Sequence, residues 1–492
     1  MPRYIEGENR FQSTLFPESL DEYIAETNSI RVIDRFVDRL ILADLGFERA
    51  QPNPVGRPGY QPQMLLKLYI YGYLNRLQSS RRLERESHRN VELMWLTGRL
   101  LPCFKTIADF RKDNRKGIRQ VCVEFVGVCR ELDLFSKSLV AIDGSKFKAV
   151  NSRDKNFTRH SVKRRRQRLE AHINRYLRKL DAVDEEEPEI REITSQELKR
   201  KIASMEKRMD ELNRIKAAVE AHPDKQISLT DPDSRSMAKA GGGSIVGYNV
   251  QVAADSKYHL IPAHEVTNAT SDRSQLSSMA EQAKAALDGE TQDEVTDESE
   301  PQQEELTVLA DAGYYKSEEI LACHQKGMKV LAPKTDTSGK RIKQQFTRSQ
   351  FVYDAKNDEY RCPAGERLTL TGTATNKGRK LLVYRTYQCS ECPLKAQCTP
   401  ADDRRIQRWE HEHALEAAEA DLKKNPDAMR LRKQIVEHVF GTIKHWMGST
   451  HFLMKGLPQV QTEMSLHVLS YNLRRAINIL GVEAILEKLE TA

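Results

Sequence analysis

Apolar positions in the first part of the chain recur at the three- and four-residue spacing of an α-helix. Apolar and polar residues rarely alternate there, as they would in a strand. The apolar residues that carry this spacing are Ile33, Phe36, Val37, Leu40, Ile41, Met64, Leu65, Leu68, Ile70, Tyr71 and Leu74. The pattern predicts an all-helical N-terminal domain over residues 1–130.

Short apolar runs, typical of buried strands, replace the helical pattern after residue 138. Leu139–Ile142 ends in Asp143-Gly144, and Leu306–Ala310 ends in Asp311. Two further runs, 248–253 and 259–263, flank the turn residues 255–257 and predict a β-hairpin. Residues 138–335 are therefore predicted to form a mixed α/β core in which two strands each end in an aspartate.

Two segments interrupt this core. Residues 160–222 are charged and carry heptad-like apolar spacing, which predicts an inserted helical hairpin. Residues 336–405 are polar, turn-rich and marked by cysteines, and they are predicted to form a second insertion. Helical periodicity returns at Glu410, so residues 406–492 are expected to be a helical C-terminal part of the core.

Charge is strongly segregated along the chain, although the net charge is only +7. Residues 57–119 contain 14 basic and 5 acidic residues, and residues 163–179 contain 8 basic residues and one acid. Residues 288–305 contain 9 acidic residues and no basic one. The two basic segments suit a polyanion such as DNA. The alternative is that each is a solvated helix face.

Composition indicates a multidomain protein with a large charged surface. The chain has 492 residues, of which 39% are hydrophobic and 30% charged, and this length exceeds what one core usually serves. No apolar stretch approaches the roughly 20 residues that span a bilayer, and the first residues lack the apolar run of a signal peptide. We therefore expect a soluble cytoplasmic protein without a membrane partner.

Three carboxylates stand at positions where a metal site can form. Asp143-Gly144 is also a common turn signal, Asp311 can be a simple strand exit with Gly313 in a left-handed turn, and a helical glutamate such as Glu437 is usually on the surface. However, Glu437 borders an apolar helix stripe and shares a face with Lys433 and Lys444.

Together, three converging carboxylates would form a hard oxygen-ligand site suited to two Mg²⁺ or Mn²⁺ ions. Such a pair of ions can activate an attacking oxygen and stabilise a leaving one.

Several segments in order resemble the insertion-sequence transposases of the DDE superfamily, and the resemblance covers most of the chain. Each segment is weak alone, but the set is specific. The segments are Arg57–Pro62, Ala141–Lys146, Thr230–Arg235, Gly247–Gln251, Ala310–Tyr315 and Val436–Lys444. The last is similar to the glutamate helix of that family, in which glutamate precedes lysine by seven positions.

This resemblance implies an RNase H-like catalytic core. It identifies Asp143, Asp311 and Glu437 as the catalytic, metal-binding triad, with Asp143 bridging two Mg²⁺ or Mn²⁺ ions, and Lys444 as a phosphate contact. The implied function is binding of terminal inverted repeats, DNA cleavage there and strand transfer into target DNA. The implied setting is a homodimer or larger assembly on DNA near the bacterial nucleoid.

The sequence departs from the family at two positions upstream of the glutamate. Arg430 and Lys433 stand where the family often has a tyrosine and an arginine. Lysine lacks the bidentate fork of arginine, so we expect the phosphate contact of Lys433 to differ or to pass to Arg432. Two other functions stay open: a metal-dependent nuclease without strand transfer, and a catalytically silent DNA-binding protein.

Other candidate residues are set apart from the triad. Asp231 and Asp233 are interpreted as turn residues, with metal or substrate support as the alternative, and Asp272 is interpreted as a helix cap. Trp446 and Trp409 are candidates for stacking on unpaired bases, although core packing is favoured for Trp446.

Four cysteines cluster in the second insertion at Cys362, Cys389, Cys392 and Cys398. Their number and the close spacing of Cys389 and Cys392 fit a structural zinc site. The alternative is four reduced cysteines without a ligand. The other cysteines stand singly, and nothing in the sequence suggests secretion, so a disulfide framework is not expected.

Overall fold

The computed structural model describes residues 19–51, 58–183, 188–238, 242–289, 305–334, 345–376 and 378–491. Arg57, most of the acidic segment 288–305 and the start of the predicted cysteine insertion lie outside these ranges. The chain divides into two compact units. Unit 1 comprises Met1–Ser136, Gly144–Thr270 and Glu437–Ala492, and unit 2 comprises Lys137–Asp143 and Ser271–Val436.

Helices dominate both ends of the chain. They are α1 (Ile30–Asp38), α2 (Pro62–Leu74), α3 (Ser80–Ser87), α4 (Val91–Thr97), α5 (Phe104–Asp113), α6 (Arg115–Glu131), α7 (Arg159–Val183), α8 (Pro188–Ala221), α9 (Leu276–Asp288), α10 (Ser317–Gln325), α11 (Lys395–Cys398), α12 (Glu412–Lys424), α13 (Ala428–Gly441) and α14 (Leu457–Thr491). Short 3₁₀ turns occupy Leu20–Tyr23, Arg153–Lys155, Ala312–Tyr314 and Arg348–Gln350.

Strands are confined to the middle of the chain. They are β1 (Leu139–Lys148), β2 (Asn156–Thr158), β3 (Gln226–Ser228), β4 (Arg235–Ala238), β5 (Ser244–Asp255), β6 (Ala263–Thr267), β7 (Leu306–Leu309), β8 (Met328–Leu331), β9 (Val352–Asp354), β10 (Glu359–Arg361), β11 (Arg367–Asn376), β12 (Arg379–Arg385) and β13 (Arg405–Trp409).

Unit 1 is built around α14. This helix is buried without interruption from Thr462 to Leu473 and packs against α1, α2 and α6. A helix that is buried on all sides is a core element rather than a surface one. The N-terminal helices therefore form a layer around α14, and Gly481, with φ of 80°, breaks α14 near its end.

The sheet of unit 1 is antiparallel and centred on β5. Strands β4 and β6 both pair with β5, and β1 is its neighbour on the sheet. Beyond β1, the Ala149 N–H donates to the Val246 carbonyl at 3.0 Å. The predicted hairpin is present, but its second strand begins at Ala263, not at His259 as predicted.

The predicted helical hairpin insertion is also present. Helices α7 and α8 pack on one another above the short antiparallel pair β2 and β3. A small apolar cluster of Phe157, Val162, Leu212, Ile215 and Val219 joins β2, α7 and α8, and Ile227 of β3 packs against it. The basic segment of the sequence lies on α7, where Lys163, Arg164, Arg168, Arg175, Arg178 and Lys179 are exposed.

Unit 2 contains a parallel arrangement of β1, β7 and β8. Leu139–Ala141 of β1 pair with Thr307–Leu309 of β7, and β7 pairs with β8 along its whole length. Helix α10 packs against α9, α12 and β8. The prediction that β1 ends at Asp143 is wrong, because the strand continues to Lys148.

The cysteine segment of unit 2 folds as a five-stranded antiparallel sheet in the order β13-β12-β11-β10-β9. The sequence predicted only a turn-rich insertion there. Its core is a compact cluster of Phe351, Tyr360, Leu368, Tyr384 and Ile406. The ring of Tyr384 meets those of Tyr360 and the neighbouring Tyr353 edge to face. The ring centres of Tyr360 and Tyr384 are 5.1 Å apart.

These elements confirm the predicted fold class, a mixed α/β protein with an all-helical N-terminal region and helical and cysteine-bearing insertions. Among the helices that the structure describes, none has both the length and the apolar character to cross a membrane.

Gly247 marks the closest approach of β5 to β1. A Cβ atom at this position would lie 1.9 Å from the carbonyl oxygen of Phe147. This oxygen belongs to the backbone of a strand and cannot move aside as the end of a flexible side chain can. We expect Gly247→Ala to destabilise the protein by about 3 kcal/mol or more, because overpacking forces the strands apart. Scanning calorimetry would show this as a lower Tm.

Gly127 provides the matched control, since it lies in α6 and no atom would stand within 4 Å of an added Cβ. Gly127→Ala should leave Tm unchanged or raise it, because alanine favours a helix by about 1 kcal/mol over glycine. Equal Tm values for the two variants would contradict the steric argument.

Candidate active site

Strand register brings two of the predicted carboxylates together in unit 2. Ala141 of β1 pairs in parallel with Leu309 of β7. Two residues further along each strand stand Asp143 and Asp311, so the same register carries them to the same edge of the sheet. Asp143 lies inside β1 and not in a turn, which excludes the turn interpretation of Asp143-Gly144.

Asp311 caps the 3₁₀ turn that follows β7. Its Oδ1 accepts a hydrogen bond from the Gly313 N–H at 2.8 Å. A Cβ atom on residue 313 would lie 2.9 Å from this same Oδ1, so glycine leaves room for the carboxylate. The alternative reading, a strand exit with Gly313 in a left-handed turn, is wrong in its conformation, because Gly313 is not among the glycines with positive φ.

One guanidinium bridges the two aspartates. Arg432 Nη2 lies 2.6 Å from Asp143 Oδ1 and 3.6 Å from Asp311 Oδ2. The side chain of Arg432 is 13% exposed, that of Asp143 is 23% exposed and that of Asp311 is 48% exposed. Solvent therefore only partly screens the attraction between the guanidinium and the two carboxylates. The two carboxylates thus already share a single positive charge.

Tyr314 lies buried in the same neighbourhood. Burial raises its pKa well above the ordinary value, and the negative charges of Asp272, Asp143 and Asp311 raise it further. The hydroxyl therefore stays protonated. The sequence alone gave no role to Tyr314 beyond its place in the Ala310–Tyr315 segment.

Asp272 is the third carboxylate that acts on Tyr314. It is not the cap of α9 as predicted, because the helix begins at Leu276 after Gln275. Its backbone carbonyl instead accepts the Gln275 N–H at 3.1 Å in the preceding turn.

Glu437 lies on α13, the helix that also carries Arg432 and Lys433. Glu437 and Lys433 are both exposed, whereas Ile435 and Val436 are buried. The helix therefore presents a charged face beside a core face, as its apolar stripe predicted. After Gly441, α13 continues into a single π-helical turn, Thr442–Trp446, and such turns occur frequently at functional sites.

Lys444 is fixed within unit 1 against the second half of β1. Its Nζ donates to Ser145 Oγ at 2.6 Å and to the Lys146 carbonyl at 3.3 Å. The ammonium also lies 4.6 Å from the centre of the Phe147 ring, a distance that favours a cation–π contact.

Asp231 and Asp233 anchor the start of α14 rather than a local turn alone. Asp231 is fully buried, and its Oδ1 accepts from the Tyr248 hydroxyl at 2.8 Å and the Gly456 N–H at 3.0 Å. Asp233 Oδ2 accepts the Leu457 N–H at 2.8 Å. Both carboxylates therefore have structural partners.

The four clustered cysteines line one cavity of the five-stranded sheet. Burial and the neighbouring thiols Cys389, Cys362 and Cys392 raise the pKa of Cys398 to about 11. The Arg404 N–H donates to Cys389 Sγ at 3.4 Å. Across the described residues, no three His, Cys, Asp or Glu side chains stand close enough to count as a ready metal site.

The two tryptophans differ in exposure. Trp409 is 7% exposed and belongs to the core, whereas Trp446 is 68% exposed. The core packing that was favoured for Trp446 is therefore wrong.

Comparison with known families gives two matches. A family described as "Transposase DDE domain" matches residues 361–477, which include the cysteine cluster, Arg432, Glu437 and Lys444. A second, described as "Transposase domain (DUF772)", matches residues 18–113 of the N-terminal helical region. No curated protein sequence matched the chain. These two matches, in the order that the sequence segments implied, support an insertion-sequence DDE transposase.

Proposed function

We propose that this transposase binds the terminal inverted repeats of its own element, hydrolyses phosphodiester bonds there and joins the freed 3′ hydroxyls to target DNA. The observation that carries the proposal is the aspartate pair, Asp143 and Asp311, bridged by Arg432. The bridging arginine stands on α13, and Glu437 follows it by five residues on that helix.

The strand connectivity supports an RNase H-like core. Unit 1 holds the antiparallel strands β5 and β6 beside β1, and unit 2 holds the parallel strands β7 and β8 beside β1. The first and fourth strands of that series, β1 and β7, deliver the two aspartates. Such placement at one edge of a mixed sheet is what a metal-dependent phosphoryl-transfer site requires.

Asp143, Asp311 and Glu437 would hold two Mg²⁺ or Mn²⁺ ions. Carboxylate oxygens are the ligands that these hard cations prefer, and the aspartate pair already accommodates the positive charge of Arg432. When bound, the ions activate the attacking oxygen and stabilise the leaving oxygen.

The cationic side chains of the site have separate tasks in this proposal. Arg432 neutralises the aspartates in the absence of metal and, once released, is available to a DNA phosphate, where its planar fork suits two phosphate oxygens. Lys444, fixed by Ser145 and Lys146, provides a second phosphate contact as a point charge. Lys433, exposed on α13, provides a third.

DNA binding away from the site is supported by the charge of α7. Its cations line a helix of 25 residues, which at 1.5 Å per residue is about 37 Å long. Exposed lysines and arginines along such a length make sequence-independent, salt-dependent phosphate contacts. Because two element ends are cut and joined together, we also propose that the transposase works as a homodimer or larger assembly on DNA.

The cysteine cavity is proposed as a structural zinc site with Cys362, Cys389, Cys392 and Cys398 as ligands. Four thiolates complete the tetrahedral shell of a structural zinc ion, and all four of these cysteines line the same cavity. The backbone N–H of Arg404 on Cys389 Sγ is a contact that stabilises a thiolate.

The catalytic assignment predicts that Asp143→Asn and Glu437→Gln each lower cleavage of element-end DNA at least about a hundredfold, because each removes a metal ligand. The measurement is cleavage and joining of labelled DNA in Mg²⁺ or Mn²⁺. Asp427→Asn is the control, since this aspartate is 76% exposed and pairs only locally with Arg430.

Cleaved but unjoined products would instead indicate a nuclease without strand transfer. Binding without cleavage, unchanged by either substitution, would indicate a catalytically silent DNA-binding protein.

The guanidinium bridge predicts that Arg432→Gln binds Mn²⁺ about tenfold more tightly than the wild type, because the competing cation is gone. Isothermal titration without DNA measures this directly. Arg430→Gln, which changes an exposed arginine of the same helix, should bind Mn²⁺ as the wild type does. Unchanged or weaker binding by the Arg432→Gln variant would refute the competition.

The cysteine site predicts about one zinc ion per chain by elemental analysis of the purified protein. Cys389→Ser and Cys392→Ser should lose this zinc, because three thiolates hold the ion much less tightly than four. Cys103→Ser, at an exposed cysteine outside the cluster, should keep it. Wild-type protein purified without zinc in a folded state would exclude the site.

A further inference from the structure

The long hairpin of the five-stranded sheet has one strand edge that its own sheet does not use. Strand β11 pairs with β12 from Thr369 to Asn376, with an irregularity between Leu370 and Gly372. On its other side, β11 pairs with β10 only at residues 367–369. Among the strands that the structure describes, none pairs with this second side from Gly372 to Asn376. We call these five residues the β11 edge, and they span about 17 Å at the rise of an extended strand.

The β11 edge is exposed to solvent and carries no charge. Its residues are exposed, apart from Ala374, which is partly buried. The sequence from Leu368 to Asn376 contains no charged residue and no proline. It is rich in threonine, which is β-branched and favours an extended backbone. The backbone N–H and C=O groups on this side of a regular strand are therefore open to another strand.

The two outer strands of the same sheet have protection that the β11 edge lacks. Strand β13 carries Arg405 and Arg408, which form ion pairs with acidic residues. Strand β9 has only three residues and ends at Asp354. Charged side chains and short length are means by which edge strands avoid pairing with other chains. The β11 edge is longer than β9 and has neither kind of protection.

Two cations stand opposite the β11 edge on β12, and both are paired. Arg379 forms an ion pair with Glu318 of α10 and lies over the ring of Trp409. Lys380 Nζ lies 3.5 Å from Glu410 Oε2. DNA binding depends on cations that neutralise phosphates, whereas strand addition depends on backbone hydrogen bonds. The charges therefore favour a protein strand over DNA as the partner of this edge.

We propose that the β11 edge pairs in antiparallel orientation with the β11 edge of a second copy of this chain. A twofold-symmetric dimer needs a surface that fits itself, and an uncharged strand meets its own copy without like-charge repulsion. Pairing centred on Ala374 places Thr373 opposite Thr375 of the partner subunit. The proposal rests on the proposed function, in which the transposase works as a homodimer or larger assembly, and it names the contact between the copies.

Apolar side chains beside the edge add to this pairing. Ala374 stands opposite Leu381, and Gly372 stands opposite Val383, so these positions share one face of the hairpin. Leu381 and Val383 are partly exposed. In the proposed pair, Ala374 lies beside its counterpart in the second copy and extends the apolar strip across the interface. Backbone hydrogen bonds then supply affinity, and this strip favours the register.

The test places like charges on the edge. Thr373 and Thr375 are both exposed, so a charged side chain at either position can remain in solvent in the folded monomer. We expect Thr373→Lys/Thr375→Lys and Thr373→Glu/Thr375→Glu each to self-associate about tenfold more weakly than the wild type, because like charges then face one another across the pair. Sedimentation of the full chain without DNA gives the dissociation constants.

A mixture of the lysine and glutamate variants should form a heterodimer, because each lysine then faces a glutamate. Thr369→Lys/Gln407→Lys is the matched control, since it adds the same charge at exposed positions of the same sheet. Thr369 already pairs with Glu359 of β10, and Gln407 lies on β13. The control should self-associate as the wild type does.

A wild-type chain that stays monomeric in this experiment would overturn the proposal. So would charged-edge variants that self-associate like the wild type, a mixture that forms no heterodimer, or a control that dissociates equally. DNA affinity that rises with lysine and falls with glutamate, while self-association is unchanged, would assign the edge to DNA instead. These outcomes are separate from catalysis, because cleavage that is lost in Asp143→Asn would stand even if the β11 edge formed no dimer.

Discussion

Mutual repulsion between Asp143 and Asp311 is the constraint on which the active-site region depends. Parallel pairing of β1 with β7 delivers both carboxylates to one edge of the sheet, and like charges so placed are unstable without a cation. Arg432 supplies that cation from α13. Because the guanidinium must reach both aspartates, the part of α13 that carries Arg432 is held at the strand ends.

Much of the fold was predictable because burial follows local periodicity. The helical N-terminal region and the runs that became β1, β7 and β8 have apolar spacings that match their observed elements. The cysteine sheet was missed because its strands lack this signal: most side chains of β11 are exposed, with Leu368 as its one buried residue. Such a sheet is specified by cross-strand pairs and an aromatic cluster, which only the folded chain reveals.

The candidate site was predictable only in part, for a similar reason. The three carboxylates and Lys444 lie in segments that resemble a known family, so they were candidates from the sequence alone. The bridging role of Arg432, the buried Tyr314 and the exposure of Trp446 depend on contacts between distant segments or on a π-helical turn. The start of β6 was misplaced because Leu260, Ile261 and Pro262 are apolar yet lie in the turn region between β5 and β6, before the strand begins.

That turn shows how the polar residues of α14 position the rest of unit 1. The Tyr471 hydroxyl donates to the His259 carbonyl at 2.7 Å, and Asn472 exchanges two hydrogen bonds with the backbone of Ile261 at 2.9 Å each. Buried polar groups are stable only when such partners are complete. One turn further along α14, Arg474 and Arg475 bind backbone carbonyls by the same logic, but with donors to spare. The helix that fixes the β5–β6 turn therefore also holds the guanidiniums of Arg474 and Arg475 in place through backbone carbonyls.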